Sequence, residues 1–225
     1  MIPLRDSVRS RSFPYVNIAL IILNVLVFFK QLTLPAQHLN SFFYTYGVIP
    51  AQVVNQISSG TSLIAMGIPF ISAMFIHGNW LHLLGNMLYL WIFGDNVEDR
   101  MGHLPYLFFY LLVGIIGSIA HIISAPGSEV PIIGASGAIA GILGAYILAF
   151  PRARILTLVP VFFFITFIQV PALIFLPIWF LIQILNALST AGMAAEAVAW
   201  WAHIGGFIAG AILYPFFSRY SRYHS

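Results

Sequence analysis

The sequence has no cysteine and very little charge. None of its 225 residues is cysteine, which excludes disulfides, a thiolate nucleophile and cysteine-ligated zinc or iron–sulfur sites. Asp, Glu, Lys and Arg together make up 7% of the chain, whereas a soluble domain has roughly 25%. Nine basic and six acidic side chains are too few to cover the surface of a water-soluble globule. Lipid is therefore the expected solvent for most of this surface.

Hydrophobic residues make up 60% of the chain and recur in long runs. A helix needs about 20 apolar residues to cross a bilayer, and these runs are too long for the ~10-residue alternating strands of a membrane barrel. The stretches without charged residues and the positions of Gly and Pro predict an all-α polytopic membrane protein with six transmembrane helices. These helices are expected near residues 14–34, 77–94, 104–124, 133–150, 168–188 and 199–217. These form one membrane domain, 14–217, between a short N-terminal segment, 1–13, and a short basic tail, 218–225.

Basic residues predict the orientation of the spans, because Lys and Arg collect on the cytoplasmic side of membrane proteins. With six spans, both termini and the loops 95–103 and 151–156 lie on one side. Eight of the nine basic residues fall on that side, and only Lys30 falls on the other. Both termini are therefore expected in the cytoplasm.

Two regions do not fit simple hydropathy. Residues 35–70 carry no charged residue but are interrupted by Pro and Gly, and we expect a large, partly submerged loop between helices 1 and 2, because irregular backbone cannot cross the bilayer core. Residues 155–188 are too long for one span, so their first part is expected to approach the membrane along its interface.

Polar residues inside the predicted spans are informative, since each costs free energy at membrane depth unless it faces a cavity or a partner. The second span contains HGNWLHLLGN, with His77, His82 and Asn86. His82 and Asn86 are four residues apart and lie on one helix face. Considered alone, Asn86 is more typical of a residue that joins two helices by hydrogen bonds than of a catalytic residue. For His82, a structural role and a catalytic role are equally expected.

A serine and a histidine lie among small residues in two other spans. The fourth span opens with GASG, which places Ser136 two residues after Gly134, and the sixth contains AHIGG, which includes His203. A lone serine at a small-residue helix interface is more often a packing residue than a catalytic one. The combination is what points to chemistry, because a hydroxyl beside an imidazole is the nucleophile and base pair of serine hydrolases.

Glycine spacing predicts that these two spans touch. Gly137 and Gly141 form a G-x-x-x-G pair in the fourth span, and Gly206 and Gly210 form another in the sixth. Small residues at this spacing let two helix backbones approach closely. His203 lies on the same stripe as Gly206 and Gly210, so packing of the two stripes would bring its imidazole toward the serine.

HGNWLHLLGN, GASG and AHIGG, in this order on the second, fourth and sixth of six spans, resemble the signature of the rhomboid intramembrane serine proteases, in their six-span prokaryotic form. The segment Glu98-Asp99-Arg100-Met101-Gly102 is similar to the short E-x-R-x-G turn of that family. The resemblance implies a rhomboid-like bundle in a prokaryotic inner or plasma membrane. It also implies hydrolysis of peptide bonds in or near the bilayer segment of single-span membrane proteins.

Residue by residue, the resemblance implies that Ser136 is the nucleophile and His203 the general base of a dyad. His82, Asn86 and the Ser136 backbone N–H would form the oxyanion hole. Supporting roles follow for His77, Gly134, Gly137, Gly206 and Gly210. Some relatives have an aromatic residue four positions after the serine that packs on the histidine, and this chain has Ala140 there, which leaves open how His203 is oriented.

Other functions fit less well. A transporter would explain six spans with polar residues, but no paired broken helices of two repeats are visible. A catalytically inactive rhomboid-like protein that binds membrane clients is the alternative that shares the fold. We expect no metal and no cofactor, since there is no H-E-x-x-H motif and no span carries a carboxylate. The expected partners are membrane-protein substrates and the lipid bilayer, with no nucleic acid, and the sequence assigns no oligomeric state.

Overall fold

The computed structural model describes residues 2–60, 63–161, 164–190 and 198–219. In chain order, the elements are β1 (Ile2–Asp6), α1 (Tyr15–Leu32), α2 (Ala36–Tyr46), α3 (Pro50–Ser58), α4 (Leu63–Ser72), a 3₁₀ turn (Ala73–Phe75), α5 (Trp80–Met101), α6 (His103–Ser124), α7 (Ser136–Ala149), β2 (Arg154–Val161), β3 (Phe164–Pro171), α8 (Ala172–Thr190) and α9 (Trp200–Phe217). A helix lies in each of the six segments that hydropathy predicted.

Four of the helices in the described ranges are long and apolar enough to cross a membrane: α1, α6, α8 and α9. Helix α7 is apolar but has only 14 residues, about 21 Å of helix against a hydrocarbon core of about 30 Å. Helix α5 has 22 residues, and its last two turns are charged. The predicted all-α polytopic bundle is confirmed, and the count of six membrane-crossing helices stays a prediction.

Helix α7 lies at the centre of the bundle. Every residue from Ala138 to Tyr146 is buried, as expected for a helix that is apolar on all sides. Helices α5, α6 and α9 pack around it, and α9 also packs along α6. The first residue of this enclosed helix is Ser136, so the fold places a polar side chain at the end of its most buried element.

Two segments that the sequence predicted as loops are helical. The segment 35–70 folds into α2, α3 and α4, because a backbone at the membrane interface lowers its free energy by bonding to itself. The predicted loop 95–103 is mostly the end of α5, which continues to Met101. Hydropathy shows where the charged residues of a segment begin. A helix can continue past that point when its polar side chains have hydrogen-bond partners.

A three-stranded antiparallel sheet, in the order β1–β2–β3, is absent from the all-α prediction. Ile2 lies opposite Leu158 and Asp6 opposite Ile155, while β2 and β3 pair along their whole length. The N-terminal segment 1–13 and the segment after α7, which were predicted separately, therefore share one structure. The β-branched residues of β2 and β3 favour strands. The pairing of β1 with a segment about 150 residues later in the chain leaves no pattern in the local sequence.

Glu98, in the last turn of α5, caps the start of α1. Its buried carboxylate accepts hydrogen bonds from the backbone N–H groups of Val16 at 3.0 Å and Asn17 at 2.7 Å, and His103 Nδ1 donates to it at 2.5 Å. A carboxylate at this place pairs N–H groups that have no partner within the helix and interacts favourably with the helix dipole. Glu98 thereby joins α1 to α5.

The other two motif positions join α5 to the C-terminal end of α9. Gly102 ends α5 with φ of 84°, a conformation that glycine adopts without strain, and a side chain there would overlap the Arg219 guanidinium. The Arg219 N–H donates to the Arg100 carbonyl at 3.0 Å, and the Arg100 guanidinium lies 4.8 Å from the ring centre of Phe150. The E-x-R-x-G segment is thus a structural junction.

Replacing Glu98 should therefore destabilise the bundle. Glu98→Ala removes a charged acceptor from one buried and one part-buried N–H group, and hydrogen bonds to charged groups contribute about 1.5–3 kcal/mol each. We expect a clearly lower thermal unfolding midpoint in detergent, measured by circular dichroism. The matched control is Glu129→Ala, because Glu129 is exposed in the loop after α6; equal midpoints for both variants would contradict the capping role.

Candidate active site

A cavity of about 670 Å³ is lined by residues of α2, α5, α6, α7, α8 and α9, of the 3₁₀ turn, and of the segments that precede α5, α7 and α9. The site residues predicted from the sequence that line it are Ser136, His203, His82, Asn86, Gly134 and Gly137. His77 and Gly206 do not line the cavity but contact Asn86 and Gly137, which do. Gly210 lies one turn further along α9, against Gly141. The structure thus brings residues of the second, fourth and sixth predicted spans to one place.

Ser136 and His203 are in direct contact across the interface of α7 and α9. His203 Nε2 lies 2.8 Å from Ser136 Oγ, within hydrogen-bond distance. His203 is buried in the first turn of α9, and Ser136 is the first residue of α7. The first N–H groups of a helix have no partner within it and carry partial positive charge, so the helix end beside the serine can stabilise a negative charge.

Gly134 lets the chain turn into α7 next to two polar side chains. Its φ is 114°, a conformation that L residues rarely adopt, and its N–H donates to the Ala73 carbonyl at 2.8 Å. A Cβ atom on Gly134 would lie 2.6 Å from His82 Nε2 and 3.5 Å from Asn86 Nδ2. Only glycine therefore leaves room for His82 and Asn86 beside the backbone that leads to Ser136.

Asn86 is held in position by His77. Its Nδ2 lies 2.9 Å from His77 Nε2, and both residues are buried. An amide nitrogen has two hydrogens, so one can bond His77 while the other points elsewhere. The rings of His77 and His82 meet edge to face, with centroids 5.0 Å apart. His77 is thus in contact with both residues predicted as oxyanion donors.

Gln31 at the end of α1 fixes His77 through its backbone. The Gln31 Nε2 donates to the His77 carbonyl at 2.8 Å, and the His77 N–H donates to Gln31 Oε1 at 3.2 Å. Sequence reasoning missed this residue, since its partner is 46 positions away. Its available signal was weak, because Gln31 is one of three amide side chains in α1, together with Asn17 and Asn24.

His203 has three neighbours that sequence reasoning also missed. Gln183 Oε1, on α8, lies 2.9 Å from His203 Nδ1. The ring of Trp200 is edge-on to the imidazole at 5.8 Å, and the ring of Trp179 lies at 6.2 Å. Ala140 on α7 is fully buried against α9 and provides no ring beside His203. The rings that lie there come from α8 and α9, so the imidazole has aromatic neighbours although position 140 is not aromatic. Gln183 is a polar residue in the run IWFLIQIL, which was the signal for it.

The two glycine pairs meet backbone to backbone, as their spacing predicted. A Cβ atom on Gly206 would overlap the Gly137 carbonyl, and one on Gly210 would overlap the Gly141 carbonyl. At these two positions α9 lies so close to the backbone of α7 that only glycine fits on α9. Ser136 and His203 lie on the helix turns next to this contact, one on each helix.

Acidic residues play no visible part in the described portion of the site. Glu129, seven residues before Ser136, is exposed in the loop before α7, and Glu196 falls outside the described residues. Within the described ranges, no three His, Asp or Glu side chains are grouped so that they could hold a metal ion. The expectation of a site without a metal stays a prediction.

Comparison with known families gives an independent result. Residues 65–220 match the family model described as "Rhomboid domain", which is more than half of the chain. The chain belongs to the rhomboid family. The match includes α5 through α9, and therefore all the residues of this rhomboid that meet at the cavity except those of α2.

Curated relatives match over shorter stretches. The chain is 35% identical over 79 residues to "Rhomboid-like protein 11, chloroplastic" of Arabidopsis thaliana (35% of this chain, 28% of the relative). It is 34% identical over 96 residues to "Rhomboid protein 1, mitochondrial" of Saccharomyces cerevisiae (41% and 28%). It is 28% identical over 155 residues to "Presenilin-associated rhomboid-like protein, mitochondrial" of Homo sapiens (63% and 36%). This rhomboid thus spans about a third of these relatives.

The backbone contact of α7 and α9 predicts that one methyl group can disturb the site. Gly210→Ala should separate the helices and lower any Ser136-dependent activity by on the order of 10²-fold, the cost of a shift of about 1 Å in a catalytic group. The rate of Ser136 labelling by a fluorophosphonate in detergent measures this. The control is Gly67→Ala on α4, because a Cβ atom there meets nothing within 4 Å; similar labelling rates in the two variants would show that the glycine contact does not position the pair.

Proposed function

We propose that this rhomboid is an intramembrane serine endopeptidase that uses Ser136 as nucleophile and His203 as general base. The observation that carries the proposal is the 2.8 Å contact of Ser136 Oγ with His203 Nε2 inside a cavity of the helix bundle. A hydroxyl becomes a competent nucleophile when an adjacent base takes its proton. The geometry meets the hydrogen-bond reach that such a base needs.

The reaction follows from this pair in two halves. His203 Nε2 accepts the Ser136 proton while Oγ attacks the peptide carbonyl, and the resulting imidazolium then gives the proton to the departing amine. The acyl group remains on Ser136 as an ester. A water molecule, deprotonated by His203, then attacks the ester, and His203 returns the proton to Ser136 Oγ.

The oxyanion of each tetrahedral intermediate needs donors placed in advance. We assign this role to the side chains of His82 and Asn86 and to the Ser136 backbone N–H. His82 and Asn86 lie beside Gly134, two residues before the serine. His77 occupies one hydrogen of the Asn86 amide, so the second is available for the oxyanion. The site then stabilises charge without a metal or a cofactor.

We further propose single-span membrane proteins as substrates, cut in or near the bilayer segment. Three of the helices that line the cavity, α6, α8 and α9, are long and apolar enough to cross a membrane, which favours a substrate that arrives from the bilayer. A helical peptide bond is shielded by its own hydrogen bonds, so the substrate helix must unwind locally before attack. Nucleic acid has no role in this function.

The distribution of basic residues supports a location in a cell membrane with both termini in the cytoplasm. Arg5, Arg9 and Arg11 precede α1, and Arg219 follows α9. The names of the relatives place them in mitochondria and chloroplasts. For this chain we propose a prokaryotic inner or plasma membrane.

Removing either member of the pair should abolish proteolysis. Ser136→Ala and His203→Ala are each expected to lose activity by a factor of 10³ or more, on the order seen when a member of a hydrolase triad is removed. Cleavage of a reconstituted single-span protein, followed by gel electrophoresis, measures this. The controls are Ser124→Ala on α6 and His38→Ala on α2, since both side chains are exposed.

Two outcomes of that experiment would overturn the proposal. Substantial cleavage by Ser136→Ala would exclude a serine mechanism. Binding of membrane proteins without cleavage, by a parent chain whose Ser136 resists fluorophosphonate, would favour the inactive client-binding alternative.

Loss of an oxyanion donor should act on turnover. Asn86→Ala is expected to reduce kcat by roughly 10²–10³, since removing one such donor costs about 2.7–4 kcal/mol in the transition state, with a much smaller change in KM. Steady-state cleavage kinetics in detergent separate the two constants. Asn55→Ala, an exposed amide on α3, is the control, and a normal kcat for Asn86→Ala would make that residue structural.

A further inference from the structure

Gln183 occupies the place next to His203 that a third residue takes in Ser–His–Asp hydrolases. Its Oε1 lies 2.9 Å from His203 Nδ1, on the opposite side of the imidazole from Ser136. In the Ser–His–Asp triad, a carboxylate accepts a hydrogen bond from Nδ1–H and so fixes the tautomer and the orientation of the ring. Here the acceptor is a neutral amide on α8.

The orientation of the Gln183 amide is determined by its own helix. Its Nε2 donates to the Trp179 carbonyl at 3.0 Å, one turn earlier in α8. That bond leaves Oε1 as the atom that faces His203. A carbonyl oxygen accepts hydrogen bonds and cannot donate them, so the proton of this contact is on His203 Nδ1. Nε2 then carries the lone pair and points at Ser136.

Burial makes this bond necessary for both partners. Gln183 is 5% exposed and His203 is 8% exposed, and a buried polar group without a partner is costly. The rings of Trp179 and Trp200 lie beside the imidazole, and the acceptor at Nδ1 is Gln183 Oε1. Gln183 therefore provides the hydrogen-bond acceptor that the buried Nδ1–H of His203 needs.

We propose that Gln183 is a positioning residue, which holds His203 in the Nδ1–H tautomer with Nε2 directed at Ser136. This rests on the proposed function, and it adds a helix to the site: α7 carries the nucleophile, α9 the base and α8 the group that orients the base. Any displacement of α8 that separates Gln183 from His203 would leave the imidazole free to rotate or change tautomer. Activity then depends on the position of α8.

Two substitutions separate the hydrogen bond from the packing. Gln183→Met keeps a side chain of similar length but removes the acceptor, and Gln183→Glu keeps an acceptor facing Nδ1–H. We expect the Met variant to lose on the order of 10²-fold in kcat, because a wrong tautomer deprives Ser136 of its base, with little change in KM. The Glu variant should restore most of the kcat. Asn186→Leu, which removes a half-buried amide one turn further along α8, is the control.

The tautomer itself provides a readout that does not need activity. In protein labelled with ¹⁵N-histidine, the two nitrogen shifts of His203, assigned with His203→Ala, should report Nδ1–H in the parent chain and a mixture in Gln183→Met. A Met variant that keeps both the parent tautomer and the parent kcat would overturn the positioning role. A parent chain with the expected tautomer, lost in the Met variant, but with no labelling of Ser136, would support the role of Gln183 while rejecting the proposed protease function.

Discussion

The backbone contact between α7 and α9 is the constraint on which the rest of the site depends. Gly206 and Gly210 lie directly against the backbone carbonyls of Gly137 and Gly141, with no room for a methyl group on either residue of α9, and the first turns of the same two helices carry Ser136 and His203. Lipid provides little driving force for helix association, so close packing of small residues is a main source of it. The same contact that stabilises the bundle therefore sets the distance between hydroxyl and imidazole.

Around this contact, buried polar side chains join other pairs of elements. Glu98 joins α5 to α1, Gln31 joins α1 to the segment before α5, and Gln183 joins α8 to α9. Each pairs a group that would otherwise be buried without a partner, which is costly in an apolar surrounding. Two of these connections reach the cavity, Gln31 through His77 and Gln183 through His203, so part of the structural framework also positions the proposed chemistry.

Prediction from the sequence succeeded where a local pattern carried the information. Hydropathy located α1 and α5 to α9, and residues three or four apart, such as His82 and Asn86 or Gly206 and Gly210, were placed on common faces. It failed for segments whose structure depends on distant partners. The strand Ile2–Asp6 forms because it pairs with β2, and α5 continues past residue 94 because Glu98 finds its partners in α1. Neither partner can be recognised within a short window of sequence.

The sequence by itself determined that the chain is a bundle of apolar helices and which serine, histidines and asparagine stand out within it, since the cost of a polar group in lipid makes each of them conspicuous. Only the tertiary structure decided how these residues are held. The helix faces that meet in the bundle determine these contacts. They include the hydrogen bonds of His203 with Gln183 and of His77 with Asn86, the rings of Trp179 and Trp200 beside His203, and the packing of Ala140 against α9. Helix periodicity fixes the face on which a residue lies, but the partner of that face is chosen by packing of the whole bundle.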